Sequence, residues 1–192
     1  ESSDSKSEYY KIFQLKKGDK IVNINGFISD FKNEPSNSMI DLKFESSIPN
    51  DIILGPIIVK NHINNSNEII IQDSKNILYL INNIGQVEWT KEIDDEIIKE
   101  VNQIDSYKNG KLQYVFATAK SLYLLDRKGR DVGRFPLKFK DKITSPVSIF
   151  DYDKNKNYRL LITQNDELFM FDSKGNRVRG FDYNKKNKIV TT

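Results

Sequence analysis

One loop of this 192-residue chain offers side-chain oxygens at alternate positions, from Asp151, Asp153 and Asn155. Carboxylate and amide oxygens in this alternating pattern are typical ligands of calcium loops. Such loops also carry glycine at the sixth position and glutamate at the twelfth, where this chain has Lys156 and Ile162. The pattern therefore favours an Asx-rich turn, with a calcium site as the alternative.

The single histidine, His62, has the chemistry of a general base or a metal ligand. The chain has no cysteine, which excludes a thiol nucleophile, a disulfide and a Cys/His zinc cluster. No Ser-His-Asp arrangement accompanies His62, which follows Asn61 at the start of a polar loop, so a solvent-facing position is predicted. The glycines fall in turns rather than in a phosphate-binding loop. The sequence thus predicts no catalytic residue, no cofactor and no metal beyond the calcium alternative.

The charge and the hydropathy of the chain limit the kinds of partner that it can bind. Thirty Lys and Arg residues face 27 Asp and Glu residues, which leaves a formal net charge of +3. This balance argues against nucleic acid, and the basic stretches 138–142 and 185–188 are predicted to be solvated faces or protected sheet edges. Apolar runs are far shorter than the ~20 residues of a membrane-spanning helix, so no direct membrane insertion is predicted.

The elements that must position these residues repeat along the chain. Gly85, Gly129 and Gly175 lie 44 and 46 residues apart, and each ends an aromatic and aliphatic stretch that runs into Asx-x-x-Gly. This ending suits a tight turn, because Asx bonds its own backbone and glycine adopts a positive φ without a steric penalty. Further apolar stretches recur upstream at the same offsets.

Each unit therefore contains four short strands. A unit of 44–46 residues with four antiparallel strands has the spacing of a β-propeller blade, as in WD40-like repeats. The segment 94–104 also has helical spacing of its isoleucines, but its alignment with the other units favours a strand. We predict an all-β fold of propeller blades.

The predicted organisation has six parts. These are a disordered tail or linker at 1–8, a degenerate N-terminal blade or β-hairpin at 9–48, blades at 49–94, 95–139 and 140–183, and the start of a further blade or a tail at 184–192. Closed propellers have four to eight blades. The sequence thus predicts a partial propeller that belongs to a larger polypeptide or pairs with other material.

The stretch 80–89, which ends in Gly85-Gln86-Val87-Glu88-Trp89, resembles the tryptophan-docking repeat of quinoprotein (PQQ-like) propellers. The resemblance implies that Trp89 packs between adjacent blades. In the two later units Gly133 and Arg179 stand at the position of the tryptophan, and Phe135 and Phe181 follow two residues on. The resemblance implies that these phenylalanines take over the packing between blades.

Residues 53–183 also resemble the propeller region of large, uncharacterised bacterial envelope proteins. The similarity depends on short segments at 59–62, 71–73, 107–110, 124–129, 135–139 and 150–155. It implies a periplasmic or outer-membrane-associated location, a lipoprotein anchor upstream and a partner in a membrane or envelope complex. It implies no activity.

The expected function is that of a non-catalytic protein-binding or scaffold module of a bacterial cell-envelope protein. A passive mechanism follows from stacked sheets, which hold variable loops rigidly against a partner. Two alternatives remain. One is a degenerate quinoprotein-like propeller enzyme, and the other is a carbohydrate-binding propeller that uses exposed aromatic residues such as Tyr107, Tyr152 and Tyr158.

Overall fold

The computed structural model describes residues 9–17, 22–30, 44–165 and 167–179. Within these ranges the chain forms fourteen β-strands in four antiparallel sheets, and no helix. The predicted all-β class is confirmed. The predicted parts 1–8 and 184–192, together with the basic stretch 185–188, lie outside the described residues.

The first sheet is a three-stranded meander with its second strand in the centre. Its strands are β1 (Tyr9–Lys17), β2 (Val22–Asp30) and β3 (Phe44–Ile48). The register runs from Tyr9 opposite Asp30 to Lys17 opposite Val22, and β3 pairs along the other side of β2.

The second sheet is a four-stranded meander in sequence order. Its strands are β4 (Ile52–Lys60), β5 (Asn67–Asp73), β6 (Ile77–Ile81) and β7 (Val87–Glu92). The turn between β6 and β7 is the predicted Asx-x-x-Gly turn. Asn82 Oδ1 accepts hydrogen bonds from the backbone N–H groups of Ile84 and Gln86 at 3.1 and 2.9 Å, and Gly85 has a φ of +84°.

The third and fourth sheets repeat this meander. The third contains β8 (Asn102–Ile104), β9 (Gln113–Ala117), β10 (Ser121–Leu125) and β11 (Leu137–Lys138). The fourth contains β12 (Ser148–Phe150), β13 (Arg159–Gln164) and β14 (Glu167–Asp172). A bridge between Phe171 and Arg177 marks the place where a fourth strand of this sheet would begin.

The outer strand of the third sheet is shorter than the sequence suggests. Four strands per unit would make the stretch 132–139 the fourth strand of its blade, but only Leu137 and Lys138 pair with β10 in the strand ladder. Gly133, with a φ of +60°, turns the chain out of the extended conformation, and Pro136 has no backbone N–H to donate to a ladder.

Alternate residues of β9 and β10 pack on two different sheets. One set contacts the second sheet: Tyr114, Phe116, Tyr123 and Leu125. The other set contacts the fourth sheet: Val115, Ala117, Leu122 and Leu124. All residues of both strands are buried, as expected of a sheet that is covered on both faces.

The second sheet is covered in the same way. Ile70 and Leu80 face the third sheet, whereas Ile69, Ile71 and Ile81 pack with Ile48 of the first sheet. Full burial of one such side chain contributes about 1.5–3 kcal/mol to folding. Meanders stacked face to face in chain order are the blades of a β-propeller, and the described chain is a partial one.

Candidate functional site

One end of the stacked sheets carries an open cleft of about 1030 Å³. Strands of an antiparallel meander alternate in direction, so the loops after the first and third strands of each sheet emerge at the same end. We call this end the loop face. His62 and Ile63, in the loop after β4, line one part of the cleft. Residues 107, 109–113, 126–128 and 130–133 of the third sheet and its loops line the rest.

The loop after β8 is organised by the buried carboxylate of Asp105. Its oxygens accept hydrogen bonds from the backbone N–H groups of Asn109 and Gly110 at 3.0 and 2.9 Å, and from Lys156 Nζ of the fourth sheet at 2.6 Å. Burial acts to raise the pKa of Asp105, but these bonds outweigh it and hold the pKa below 3.8. The ionised carboxylate thus fixes its own loop and ties it to the next blade.

The loop that suggested calcium is built in the same way. Asp151 accepts hydrogen bonds from the backbone N–H groups of Asn155 and Lys156, each at 3.0 Å. Asn155 Oδ1 accepts from Asn157 N–H at 3.0 Å, and Asp153 is exposed. Oxygens that point at N–H groups are committed to the loop itself, so the geometry favours the Asx-rich turn. No group of three or more His, Cys, Asp or Glu that could hold a metal occurs among the described residues.

His62 is partly buried and joins two blades, where the sequence predicted a solvent-facing residue. Its Nδ1 accepts a hydrogen bond at 3.1 Å from the backbone N–H of Leu112, in the loop that joins β8 and β9 of the next sheet. Burial lowers the pKa of His62 below 6.5, and the positive charges of Arg127 and Lys111 lower it further. The neutral ring therefore carries its proton on Nε2. A catalytic triad needs the opposite arrangement, with Nδ1–H donating to a carboxylate.

Further polar contacts cross between neighbouring sheets on the loop face. The side-chain amide of Gln103 accepts from the backbone N–H of Lys60 at 2.7 Å and donates to its carbonyl at 2.8 Å. Lys108 Nζ donates to Asn157 Oδ1 at 2.6 Å, between the third and fourth sheets. The loops of successive blades are thus bonded to one another as well as to their own sheets.

A buried ion pair lies where the cleft meets the interior. Glu68, 1% exposed, accepts from Arg127 Nη2 at 2.5 Å and from Asn61 Nδ2 at 3.0 Å. The Arg127 backbone carbonyl accepts the indole N–H of Trp89 at 2.7 Å. Breaking a buried ion pair by removing one partner costs about 3–5 kcal/mol. Arg127 thus lines the cleft, but its guanidinium is paired with Glu68 and stabilises the contact between the second and third sheets.

Trp89 and Gly129 meet at this joint. A Cβ atom on Gly129 would lie 2.8 Å from Trp89 Cδ2, so the indole ring of one blade rests on the turn glycine of the next. Gly129 has a φ of +75°, which glycine adopts without penalty. The Trp89 ring centroid is also 6.2 Å from that of Tyr114. The structure thus brings together two residues that the sequence named separately.

The other two turn glycines occupy equivalent places. Gly85 lies against Phe44 of the first sheet, and a Cβ there would be 2.8 Å from Phe44 Cβ. Gly175 lies against the third sheet, where its Cβ would be 3.1 Å from Leu137 Cδ2 and 3.5 Å from Phe135 Cε2. Each of the first three sheets thus places an apolar side chain over the turn glycine of the following sheet.

Phe135 and Phe181 were the two phenylalanines predicted to pack between blades. Phe135 is 4% exposed and belongs to the core between the third and fourth sheets, and Leu137 shares its place against Gly175. Phe181 lies outside the described residues. The sequence did not single out Phe44 or Leu137, because an aliphatic or aromatic residue in an outer strand carries no motif unless the glycine that it covers is known.

The three tyrosines proposed for sugar binding have different surroundings. Tyr107 lines the cleft and is 60% exposed, while Tyr152 is 93% exposed in the loop after β12. The hydroxyl of the half-buried Tyr158 accepts from the backbone N–H of Asp105 at 3.4 Å. Lys138, Lys140 and Lys142 of the first basic stretch are exposed. No helix in the described part of the chain is long and apolar enough to cross a membrane.

The stacked meanders define the chain as part of a β-propeller. Among solved structures, the chain is similar to BBS1N in its complex with ARL6DN, in a mercury-soaked crystal (TM-score 0.48, 12% identity) and a lead-soaked crystal (TM-score 0.48, 11% identity). Each comparison covers 90% of this chain and 53% of the BBS1N chain, so this chain spans about half the length of BBS1N. No protein-family model and no curated protein matches the chain. The two likenesses concern the fold.

Proposed function

We propose that this chain is a non-catalytic module that binds a protein partner through its loop face. The observation that carries the proposal is the set of bonds between blades on the loop face, made by His62, Gln103 and Lys156. Loops held in this way lose little conformational entropy when a partner docks, which favours binding by a preorganised surface. The cleft between two such loops provides a recess for a side chain of the partner.

The charges of the cleft support binding over catalysis. Asp126 pairs with Arg130 at 2.6 Å, and Asp131 pairs with Lys91 at 3.0 Å. Burial acts to raise the pKa of Asp126, but its bonds to Arg130 hold the pKa below 3.8. A general acid or base works best with a pKa near the operating pH, whereas this carboxyl stays ionised.

We further propose that the repeats are of the quinoprotein-like type and that the chain acts in a bacterial cell envelope. The contact of Trp89 with Gly129 supports the first part, because the resemblance in sequence implies a tryptophan packed between blades. The second part is supported by the resemblance to envelope proteins alone. A mass spectrum and an absorbance spectrum of the natively purified protein test the enzyme alternative, since a bound quinone would contradict a non-catalytic role.

Site-specific crosslinking tests the binding function. A photoreactive phenylalanine analogue replaces Tyr107 in the cleft, and a matched variant carries it at Lys142, which is exposed and outside the cleft. After illumination in bacterial envelopes, we expect a reproducible protein adduct from position 107 and none from position 142. Adducts at neither position, or equally at both, would contradict the proposed function.

A further inference from the structure

We propose that the cleft between the second and third sheets binds an acidic segment of a partner protein that carries a large apolar side chain. This inference rests on the proposed function and names the chemistry of the partner. Its basis is the charge left over once the ion pairs of the cleft are accounted for, together with the apolar residues at the rim.

The carboxylates of the cleft are neutralised within the protein. Asp126 accepts two hydrogen bonds from the Arg130 side chain and backbone, at 2.7 and 3.0 Å. Asp131 is paired with Lys91. The carboxylate of Glu68 is buried against Arg127, so its charge is also balanced. These acidic residues therefore do not repel an acidic partner as free charges would.

Two cations remain available. Lys111 and Lys128 line the cleft, are exposed, and form no ion pair with any described residue. Their backbone N–H groups donate to Asn109 Oδ1 and Asp126 Oδ1 at 3.1 and 2.8 Å. Both lysines thus project from loops of fixed geometry. An anion that meets both side chains gains two ion pairs without any reorganisation of the backbone.

Two large apolar side chains are exposed in the same cleft. Ile63 is 72% exposed and Tyr107 is 60% exposed, and they belong to loops of neighbouring sheets. Asn61 Oδ1 accepts from the backbone N–H of Ile63 at 2.9 Å, which holds that loop in an Asx turn. An apolar side chain of the partner that packs on Ile63 and Tyr107 buries their exposed surfaces. Each Å² of apolar surface buried contributes about 25 cal/mol to binding.

A protein segment fits this cleft better than a nucleic acid does. Proteins that bind a phosphate backbone can make about six to ten contacts to it, whereas the cleft offers two lysines, Lys111 and Lys128, without an ion pair to any described residue. His62 adds no positive charge in this structure, because its Nδ1 accepts the hydrogen bond of Leu112 N–H, and burial lowers its pKa as well. A segment with acidic side chains beside an apolar residue can pair with the two lysines and pack on Ile63 and Tyr107 at the same time.

Peptide display tests the proposal directly. The 192-residue protein, immobilised, selects from a library of random 12-residue peptides. A K111E/K128E variant is the test, and K75E/K142E, which reverses two exposed lysines outside the cleft, is the matched control. We expect the parent and the control to enrich Asp and Glu around Leu, Ile or Phe. The K111E/K128E protein is expected to enrich Lys and Arg instead.

Affinity measurements complete the test. A selected acidic peptide is expected to bind K111E/K128E at least about tenfold more weakly than the parent, and the control within about twofold. Thermal unfolding at equal temperatures for all three proteins shows that the fold is intact. No enrichment, enrichment without a charge bias, or a bias that K111E/K128E leaves unchanged would overturn the inference.

Two further results separate this inference from the function it depends on. Displacement of the peptide by a single-stranded oligonucleotide at equal charge concentration would also overturn it, in favour of a polyanion site. A protein adduct at position 107 that survives K111E/K128E would leave the binding function standing and remove only the acidic partner. Absence of any adduct, as described above, removes the function itself.

Discussion

At the scale of single residues, Trp89 has two roles in the joint between the second and third sheets. Its ring covers Gly129, and its indole N–H donates to the carbonyl of Arg127 at 2.7 Å. Both partners belong to one Asx-x-x-Gly turn, so a single side chain fixes the position of that turn. Arg127 in turn holds Glu68, which extends the joint from the turn into the interior.

Replacement of Gly129 with Ala tests this joint. The Cβ of the alanine would lie 2.8 Å from Trp89 Cδ2. The alanine would also have to adopt the φ of +75° that Gly129 has. Gly110→Ala is the matched control, because Gly110 has a φ of +80° and no heavy atom within 4 Å of the added Cβ. We expect about 1 kcal/mol of destabilisation for Gly110→Ala from φ alone and about 2–4 kcal/mol for Gly129→Ala. Equal losses in urea unfolding would contradict the contact.

His62 makes stability depend on pH. Its pKa in the folded protein lies below 6.5, the ordinary value of an unfolded chain. Between these two pKa values the unfolded chain binds a proton at His62 and the folded protein does not. The free energy of unfolding therefore falls as the pH drops from 6.5 toward the folded pKa. The carboxylates of Asp105 and Asp126 contribute a separate loss, which begins only near and below pH 3.8.

A His62→Asn variant isolates this effect. Asn Oδ1 can accept the Leu112 N–H in place of Nδ1, but it does not titrate. We expect similar stability of the variant and the parent at pH 7.5, and a smaller loss for the variant between pH 6.5 and 5, measured by urea unfolding at each pH. Parallel curves for the two proteins over that range would show that His62 does not titrate on unfolding.

At the scale of the elements, side chains at equivalent positions of different sheets differ in how deeply they are buried. Leu124 of β10 is 0% exposed between the third and fourth sheets. Met170 of β14 lies 46 residues further along the chain, at the equivalent position, and is only half-buried. The same is true of Val115 and its equivalent, Leu161. The outward face of the fourth sheet is therefore the least covered among these repeated faces.

Alanine substitutions measure that difference. Leu124→Ala is expected to lower the free energy of unfolding by about 3–5 kcal/mol, because it leaves a cavity between two sheets. Met170→Ala is expected to cost less than about 2 kcal/mol, since water reaches its side chain already. Chemical unfolding monitored by circular dichroism gives both values. A cost for Met170→Ala as large as that for Leu124→Ala would show that its face is fully packed.

The sequence predicted the sheets well and the contacts of their loops poorly. Periodic glycines and apolar stretches reveal strands because each strand obeys a local rule, with alternation along it and an Asx-x-x-Gly turn at its end. The contact of His62 with Leu112, and that of Gln103 with Lys60, obey no such rule. They form because stacking brings loops 40–50 residues apart to the same face. For the same reason, Trp89 was recognisable by its motif but Leu137 was not.

At the scale of the whole molecule, the described sheets are stacked in chain order, so each depends on its neighbours for its core. The core between the second and third sheets draws on both, and so does the core between the third and fourth. In such a series the inner units have two interfaces, while the terminal units have fewer. The second and third sheets are the inner ones here, and stability should be greatest in the third, where every residue of β9 and β10 is buried.

Hydrogen exchange tests this order. We expect the amides of β9 and β10 to exchange most slowly, because every residue of both strands is buried and opening them exposes two cores. Amides of the outer strand β7, in which all six side chains are exposed or half-buried, should exchange at least about tenfold faster. Mass spectrometry after deuterium labelling resolves these strands. Faster exchange in β9 than in β7 would contradict the stacking order.

The position of Trp89 has a practical consequence. It is the only tryptophan of the chain, and its ring packs between two sheets, although its backbone belongs to β7. Its emission spectrum is therefore a local optical reporter, which should shift to longer wavelength when the two sheets separate even if each keeps its strands. Time-resolved fluorescence could follow that parting without any added dye.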